Sequence, residues 1–299
     1  MALISKHTRF RAYQLKTKGS SFSYWDGINF ILCEARYNSD NKSSILHELS
    51  VCGKTSINTL HLTSWDNDHC NPDELHEILY DLRPARIECP GYDPHSDSST
   101  RSALIIEIYK RDTNSNIFVA DRQSISNLNN ASEWDYSNIF YNNPKNNSNP
   151  NDNSSIKVFR SGCFNILSLG DCESETINQF LSQSSFISNE VDILLLSHHG
   201  SDNALNSPSF LDFVKPFLAI ALCNWSNQHG HPDQNVLRRL SERDISYYST
   251  KQGDVIIESV GNHLDSFQVW NYISDGDRLE SVSGKIRSKK SIHWYNSFV

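Results

Sequence analysis

Three times in this chain a short apolar run stops on carboxylates or imidazoles. Leu60-His61-Leu62 leads into Thr63-Ser64-Trp65-Asp66-Asn67-Asp68-His69. Phe164–Leu169 leads into Gly170-Asp171, and Val191–Leu196, apolar apart from Asp192, leads into Ser197-His198-His199-Gly200. Runs of this length and composition read as buried strands. Taken singly, each ending is ordinary: a solvated Asp/His turn, a Gly-Asp turn, a loop before Ser201. Taken together they constrain the fold, because strand ends on one edge of a sheet converge and rigid strands hold ligands to the tolerance a metal ion needs. Asp offers hard oxygen and His offers nitrogen, the donor set of a hydrolytic Zn or Mn site. Asp66, Asp68, His69, Asp171, His198 and His199 are therefore candidate metal ligands.

Length and charge narrow the reading further. The 299 residues suffice for one large α/β domain or two small ones with a sizeable core. Asp and Glu number 35 against 27 Lys and Arg, giving a net charge of −8. A protein that binds nucleic acid by bulk electrostatics has the opposite sign, so any such contact must be local or borrowed from a partner. The 7 cysteines show no CxxC spacing. With no signal peptide pattern, they read as reduced thiols of a cytoplasmic protein. No apolar run approaches the roughly 18 residues of a membrane span, so no membrane role is expected.

Along the chain, Phe10–Leu15 and Ile28–Cys33 read as strands joined by a turn at Gly19-Ser20-Ser21. Ser43–Val51 reads as a helix and Ile57–Leu62 as the strand that delivers the Asp/His loop. Asn71-Pro72-Asp73 starts a helix through Leu82, with the cap and early proline such a start favours. Arg86–Cys89 is a short strand and Ser102–Lys110 a helix. Residues 124–155 turn Asn- and Ser-rich around Trp134-Asp135-Tyr136, and 142–155 read as a mobile loop inserted in the domain. Ile156–Phe159 and Phe164–Leu169 form a hairpin, followed by a helix over Glu173–Leu181. Phe210–Val214 and Gln234–Leu240 read as helices, and Phe217–Leu222, Val255–Glu258 and Phe267–Trp270 as strands. Residues 1–275 make the main domain, and 276–299 a tail carrying Lys285, Arg287, Lys289 and Lys290. Strands clustered in each half with helices between them predict an α/β fold of two mixed sheets packed face to face with helices outside, an αββα sandwich. Neither GxGxxG nor a P-loop is present, which argues against a doubly wound nucleotide fold.

With these motifs in order, the chain resembles the metallo-β-lactamase superfamily, and within it the ComEC-like hydrolase branch, over about residues 8–260. The matching segments are Thr63–His69, Asn151–Ile156, Gly170-Asp171, His198-His199-Gly200-Ser201 and Gly230-His231-Pro232 ahead of the helix Val236–Leu240. Lys18-Gly19-Ser20-Ser21-Phe22 is similar to a worn form of the family's early glycine hairpin. Two departures stand out. The first histidine of the family's metal loop is Ser64, and the third-strand histidine is replaced by the Asn153/Ser154 region. The resemblance implies that the first metal position retains Asp66 alone. It implies that the second keeps Asp68, His69 and one of His198 and His199, with Asp171 as bridging carboxylate. One firm divalent ion is thus expected, Mn or Zn foremost and Mg admissible.

The implied chemistry is hydrolysis by metal-activated water, with Asp68 and Asp171 as proton acceptors and His231 as a group that protonates or stabilises the leaving oxygen. The substrate it implies is DNA or another phosphodiester. The acidic balance then points to a nuclease arm of a larger assembly, with a partner such as an ATPase supplying DNA affinity. The 142–155 loop or the tail would be the docking element. Trp65 is either a stacking residue or, on the simpler view, a packing one; His61 belongs in the core. Two other readings stay open: a catalytically degraded member used as an interaction module, and a hydrolase of a small ester or cyclic nucleotide.

Overall fold

The computed structural model describes residues 5–113, 118–120, 138–143, 148–272 and 279–296. In chain order the strands are β1 (Arg9–Ala12), β2 (Phe22–Trp25), β3 (Phe30–Cys33), β4 (Thr59–His61), β5 (Arg86–Glu88) and β6 (Phe118–Ala120). Next come β7 (Ile139–Asn142), β8 (Ser155–Phe159), β9 (Ile166–Ser168), β10 (Ile193–Leu195), β11 (Leu218–Ala221) and β12 (Ser246–Ser249). The last are β13 (Val255–Ser259), β14 (Ser266–Tyr272), β15 (Leu279–Val282) and β16 (Ile286–Arg287). The helices are α1 (Lys42–Val51), α2 (Pro72–Glu77), α3 (Asp97–Asp112), α4 (Glu175–Leu181), α5 (Ser185–Glu190), α6 (Pro208–Val214), α7 (Gln234–Ser241) and α8 (Lys289–Asn296).

The strands assemble into two mixed sheets. One runs β15-β14-β13-β1-β2-β3-β4-β5-β6 with β16 on β14; the other runs β12-β11-β10-β9-β8-β7. In the first, β3, β4, β5 and β6 are parallel neighbours; in the second, β9, β10, β11 and β12 are. Alternation along these strands explains the layering. Ile193, Leu195, Leu218 and Ile220 pack inward with Phe10, Phe22, Ile31 and Ile257 of the facing sheet. Leu194, Ala219 and Ala221 point the other way onto α4, α6 and α7 residues such as Ile177, Phe210 and Val236. Phe30, Leu32 and Leu60 likewise meet Ile45, Leu75 and Ile106 of α1, α2 and α3. Strands apolar on both faces demand cover on both faces, and the result is an αββα sandwich of two mixed sheets with helices outside.

Helix starts follow their caps. The Asn71 side chain accepts from the Asp73 and Glu74 amides, with Pro72 in the first turn. The third helix begins at Asp97, ahead of the expected Ser102, because Ser96 and Ser99 form a capping box.

Several expectations need correction. Strand β2 was read as part of a connection; Phe22 and Tyr24 fill the space between the sheets while Ser23 bonds the Tyr13 hydroxyl at 2.6 Å. The short, polar α5 and β12 carry too little hydrophobic pattern to be read. Residues 150–155 are no mobile loop: Pro150–Asn153 is a 3₁₀ turn, and Asp152, Asn153, Ser154 and Ser155 are buried. Asp152 accepts from the Glu173 and Ser174 amides at 2.9 and 3.0 Å, so polar residues are ordered here by backbone donors. Residues 144–147 and Trp134-Asp135-Tyr136 lie outside the described residues.

Two of the tail's four cations, Lys289 and Lys290, are not solvated, whereas Lys285 and Arg287 are exposed. Lys289 Nζ donates to the Ser188 and Val214 carbonyls at 3.2 and 2.7 Å, and its amide donates to Asp192 Oδ1 at 2.6 Å. Lys290 Nζ reaches the Gly162 and Arg160 carbonyls. Both lysines are turned into the body and are not presented to a partner. We predict that truncation after Gly284 lowers the unfolding free energy by about 3 kcal/mol, since charged hydrogen bonds contribute roughly 1.5–3 kcal/mol each. Urea denaturation measures it; an unchanged midpoint would show the tail to be dispensable.

Candidate metal centre

The site lies where the C-terminal ends of parallel strands from both sheets meet. From the first sheet, β3 ends on Glu34 and β4 leads to the Thr63–His69 loop. From the second, β9 leads to Asp171, β10 to His198 and His199, and β11 to Leu222. The Ser155 amide donates to the Thr63 carbonyl at 2.8 Å, stitching the two sheets together at this edge.

Ligand atoms of Asp68, His69 and His199 all lie within 4.8 Å of one another. His69 is buried, with Nε2 at 2.9 Å from Asp171 Oδ2 and Nδ1 at 3.1 Å from Glu34 Oε1. Glu34 is itself oriented by the Thr63 hydroxyl at 2.5 Å and the Thr63 amide at 3.1 Å. This chain of carboxylate, imidazole and centre is how metal-ligating histidines are aimed and made more basic. His199 Nδ1 donates to the Leu222 carbonyl at 2.7 Å, which turns Nε2 toward Asp171 Oδ1, 3.9 Å away. The donor set fits a divalent ion: two imidazoles fixed by acceptors behind them, one carboxylate in the cluster and a second against it.

The electrostatics agree. Burial opposes charge on His69, yet Asp171 and Glu34 on its two nitrogens hold its pKa well above the ordinary imidazole value. Burial also favours the neutral form of Asp171, but His69 and then His199 keep its carboxyl well below the usual range. Among the non-glycine residues with positive φ are Glu34 (69°), His198 (48°) and His199 (57°). Such backbone costs of order 1–3 kcal/mol persist where surroundings impose them, and three fall at this one place.

Other candidate residues are not among the three of the cluster. His198 Nδ1 pairs with Glu173 Oε2 at 3.0 Å, and its ring lies 5.9 Å from that of His231 and 6.0 Å from that of His199. Asp66 accepts from the Ser64 hydroxyl at 2.9 Å and lies 3.4 Å from His95 Nε2, outside the Asp68–His69–His199 cluster. Ser64 bonds the Tyr92 hydroxyl at 2.9 Å. Trp65 is buried and its indole N–H donates to the Tyr92 carbonyl at 2.8 Å, so it packs and does not stack on a ligand. His231 lies beside His198 and His229. Burial and then the neighbouring imidazoles push its pKa down to about 4, leaving it uncharged at neutral pH. His61 is buried against Glu88, which also accepts from Lys157 across the sheets at 2.5 Å.

Glu34 was missed from sequence, although one signal was there: it is the polar residue directly ending the apolar strand Phe30–Cys33. Gly19 (φ 124°) was undervalued, since a Cβ there would collide with Arg36 and with the Asp68 carbonyl.

No family model and no curated protein sequence matches this chain. Solved structures do. The metallo-β-lactamase fold protein YhfI from Bacillus subtilis aligns at 10% identity and TM-score 0.49 over 84% of this chain and 99% of its own. A protein from Parabacteroides distasonis named as a metal-dependent hydrolase aligns at 10% identity and TM-score 0.45, over 81% of this chain and 100% of its own. The short form of human tRNase Z aligns at 12% identity and TM-score 0.38, over 71% of this chain and 91% of its own. The site's chemistry, and not these likenesses, carries the functional reading.

The geometry predicts a sharp ranking in Mn²⁺ titration calorimetry. Asp68→Ala and His199→Ala should abolish tight binding. Glu34→Gln should weaken it by about 10–100-fold through lost orientation of His69. Asp66→Ala and His198→Ala should stay near wild type. Loss of binding in the last pair, with Asp68→Ala unaffected, would place the ion elsewhere.

Proposed function

We propose that this chain is a metal-dependent hydrolase of phosphodiester bonds acting on DNA, in the manner of the ComEC-like branch that its motifs resemble. The observation that carries the reading is the Asp68–His69–His199 cluster with Asp171 against it. These residues would hold one divalent ion, Mn²⁺ or Zn²⁺ before Mg²⁺. A divalent ion there supplies an acidified water and polarises the scissile phosphoryl oxygen.

The protein's own groups do the rest. Asp171, ionised and buried, accepts a proton beside the centre, and Asp68 offers a second acceptor. His69 is fixed by Glu34, so it keeps its position through the reaction. His231 is uncharged at neutral pH, and its buried Nδ1 has no hydrogen-bond partner among the described residues; beside His198 it would be a neutral imidazole available to the leaving oxygen. The Ser64 and Asp66 side chains bond one another, which favours a single ion over a pair.

The reading includes a cytoplasmic setting and a partner that delivers DNA, such as an ATPase; the pairing of several cations is what favours the partner. Arg239 is paired with Asp202 at 2.5 Å, Arg238 lies 3.7 Å from Glu242, and Lys289 and Lys290 face inward. These four are not available to phosphates, and the net charge of −8 opposes a polyanion, so affinity of the chain alone would be weak and fall with salt. Among the described residues no helix is long and apolar enough to cross a membrane.

The test is hydrolysis of bis(p-nitrophenyl) phosphate and of plasmid DNA with Mn²⁺, Mg²⁺ and Zn²⁺ supplied separately. Turnover should need added metal, and Asp171→Ala should lower kcat by about a hundredfold or more while the fold survives. Absence of turnover with every metal would favour the interaction-module reading. Cleavage confined to carboxylic esters would favour the small-ester reading. Wild-type rates in both Asp68→Ala and Asp171→Ala would place the activity outside this site.

A further inference from the structure

Among the described residues Trp225 is the most exposed large hydrophobic side chain, at 70%. Its position gives that exposure meaning. The loop that carries it leaves β11 at Leu222, whose carbonyl holds the imidazole of His199, and it returns through His231. Asn227 staples this loop: its side chain donates to the Asn224 and His231 carbonyls at 3.0 and 2.8 Å and accepts from the His231 amide at 2.6 Å. The indole is thus presented to solvent on a braced loop that belongs to the metal centre.

A second, independent element meets it. Lys16, Thr17 and Lys18 form an exposed strap between β1 and β2. At one end the Asn224 side chain, next to Trp225, donates to the Lys16 carbonyl at 3.5 Å. At the other the Ser20 amide reaches the carbonyl of Asp68, a residue of the metal cluster, at 3.4 Å. Between them Arg36 donates to the Lys18 carbonyl and to the Thr17 hydroxyl. Asp40 accepts from the Lys16 amide at 3.0 Å. Among the described residues no carboxylate forms an ion pair with the ammonium group of Lys16 or Lys18. In an acidic protein, two cations without an ion pair among the described residues, on a strap bonded to Asn224 beside Trp225 and ending at Asp68, form a local exception to the overall charge.

We propose that Trp225, Lys16 and Lys18 form the platform that seats an unpaired nucleic-acid strand, a base stacking on the indole while neighbouring phosphates lie on the strap and lead a phosphodiester toward Asp68. Aromatic stacking with flanking cations is the general means of holding single strands without reading sequence. The proposal deepens the hydrolase reading above and rests on it for the fate of the strand.

The experiment is fluorescence anisotropy of a labelled oligothymidylate and of an abasic strand with the same number of phosphates. The purified full chain is used, with EDTA arresting cleavage. Trp225→Ala should weaken oligothymidylate binding about tenfold, the loss of one base–aromatic stack, and leave the abasic strand unaffected. Trp225→Phe should recover most of the affinity. Lys16→Ala combined with Lys18→Ala should weaken both strands and lower the slope of log K against log salt by about 1.4, the value for two phosphate contacts on a single strand. Thermal melts matching wild type confirm that these surface variants fold. Equal binding of oligothymidylate by Trp225→Ala and wild type, an equal loss on both strands, or no binding of either strand by wild type would overturn the platform. Hydrolysis of bis(p-nitrophenyl) phosphate by the wild type is scored separately. Cleavage without Trp225-dependent binding overturns the platform and leaves the hydrolase; Trp225-dependent binding without cleavage upholds the platform and removes the hydrolase.

Discussion

His69 is held between two carboxylates, Glu34 at 3.1 Å and Asp171 at 2.9 Å, and the rest of the site depends on that clamp. Glu34 ends a strand of one sheet and Asp171 follows a strand of the other, so a single imidazole joins the two halves of the sandwich. An imidazole in so dry a place would be costly unless both nitrogens had partners. Were a divalent ion held here, Glu34 would remain the group that orients His69 through Nδ1, and Asp171 would contribute its carboxylate. The same arrangement therefore serves folding without metal and ligation with it.

The clamp shapes what surrounds it. His199 is fixed through the Leu222 carbonyl, and Leu222 starts the loop that carries Trp225 and His231. Asp68 is held by the strap at Ser20, where Gly19 leaves no room for a side chain. The side chains that would serve a neighbouring ion are turned to other work: Ser64 and Asp66 bond one another, and Asp66 faces His95. A site with two imidazoles and two carboxylates is close to complete for one ion and offers little to another.

Much of this was legible in the residues. Apolar runs that stop on Asp or His gave away β4, β9 and β10 and the loops after them, because strands buried on both faces are continuous in hydrophobicity. Two things were not legible. Which of two adjacent histidines turns inward depends on backbone at φ of 48° and 57° and on distant acceptors, Leu222 and Glu173, which sequence spacing does not encode. Polar composition also misled: Asp152 and Ser154 looked like loop and are buried, because backbone amides of Glu173 and Ser174 partner Asp152 and that of Asp171 partners Ser154. Lys289 and Lys290 of the tail misled for the same reason, being satisfied by main-chain carbonyls.

The central claim is the location of one ion, and anomalous diffraction from crystals grown with Mn²⁺ tests it most directly. The account predicts one strong anomalous peak about 2.0–2.3 Å from His69 Nε2, His199 Nε2 and the Asp68 carboxylate, with Asp171 in contact. A peak on Asp66 and His95 or on His198 and Glu173, or no peak at this junction of the sheets, would contradict it.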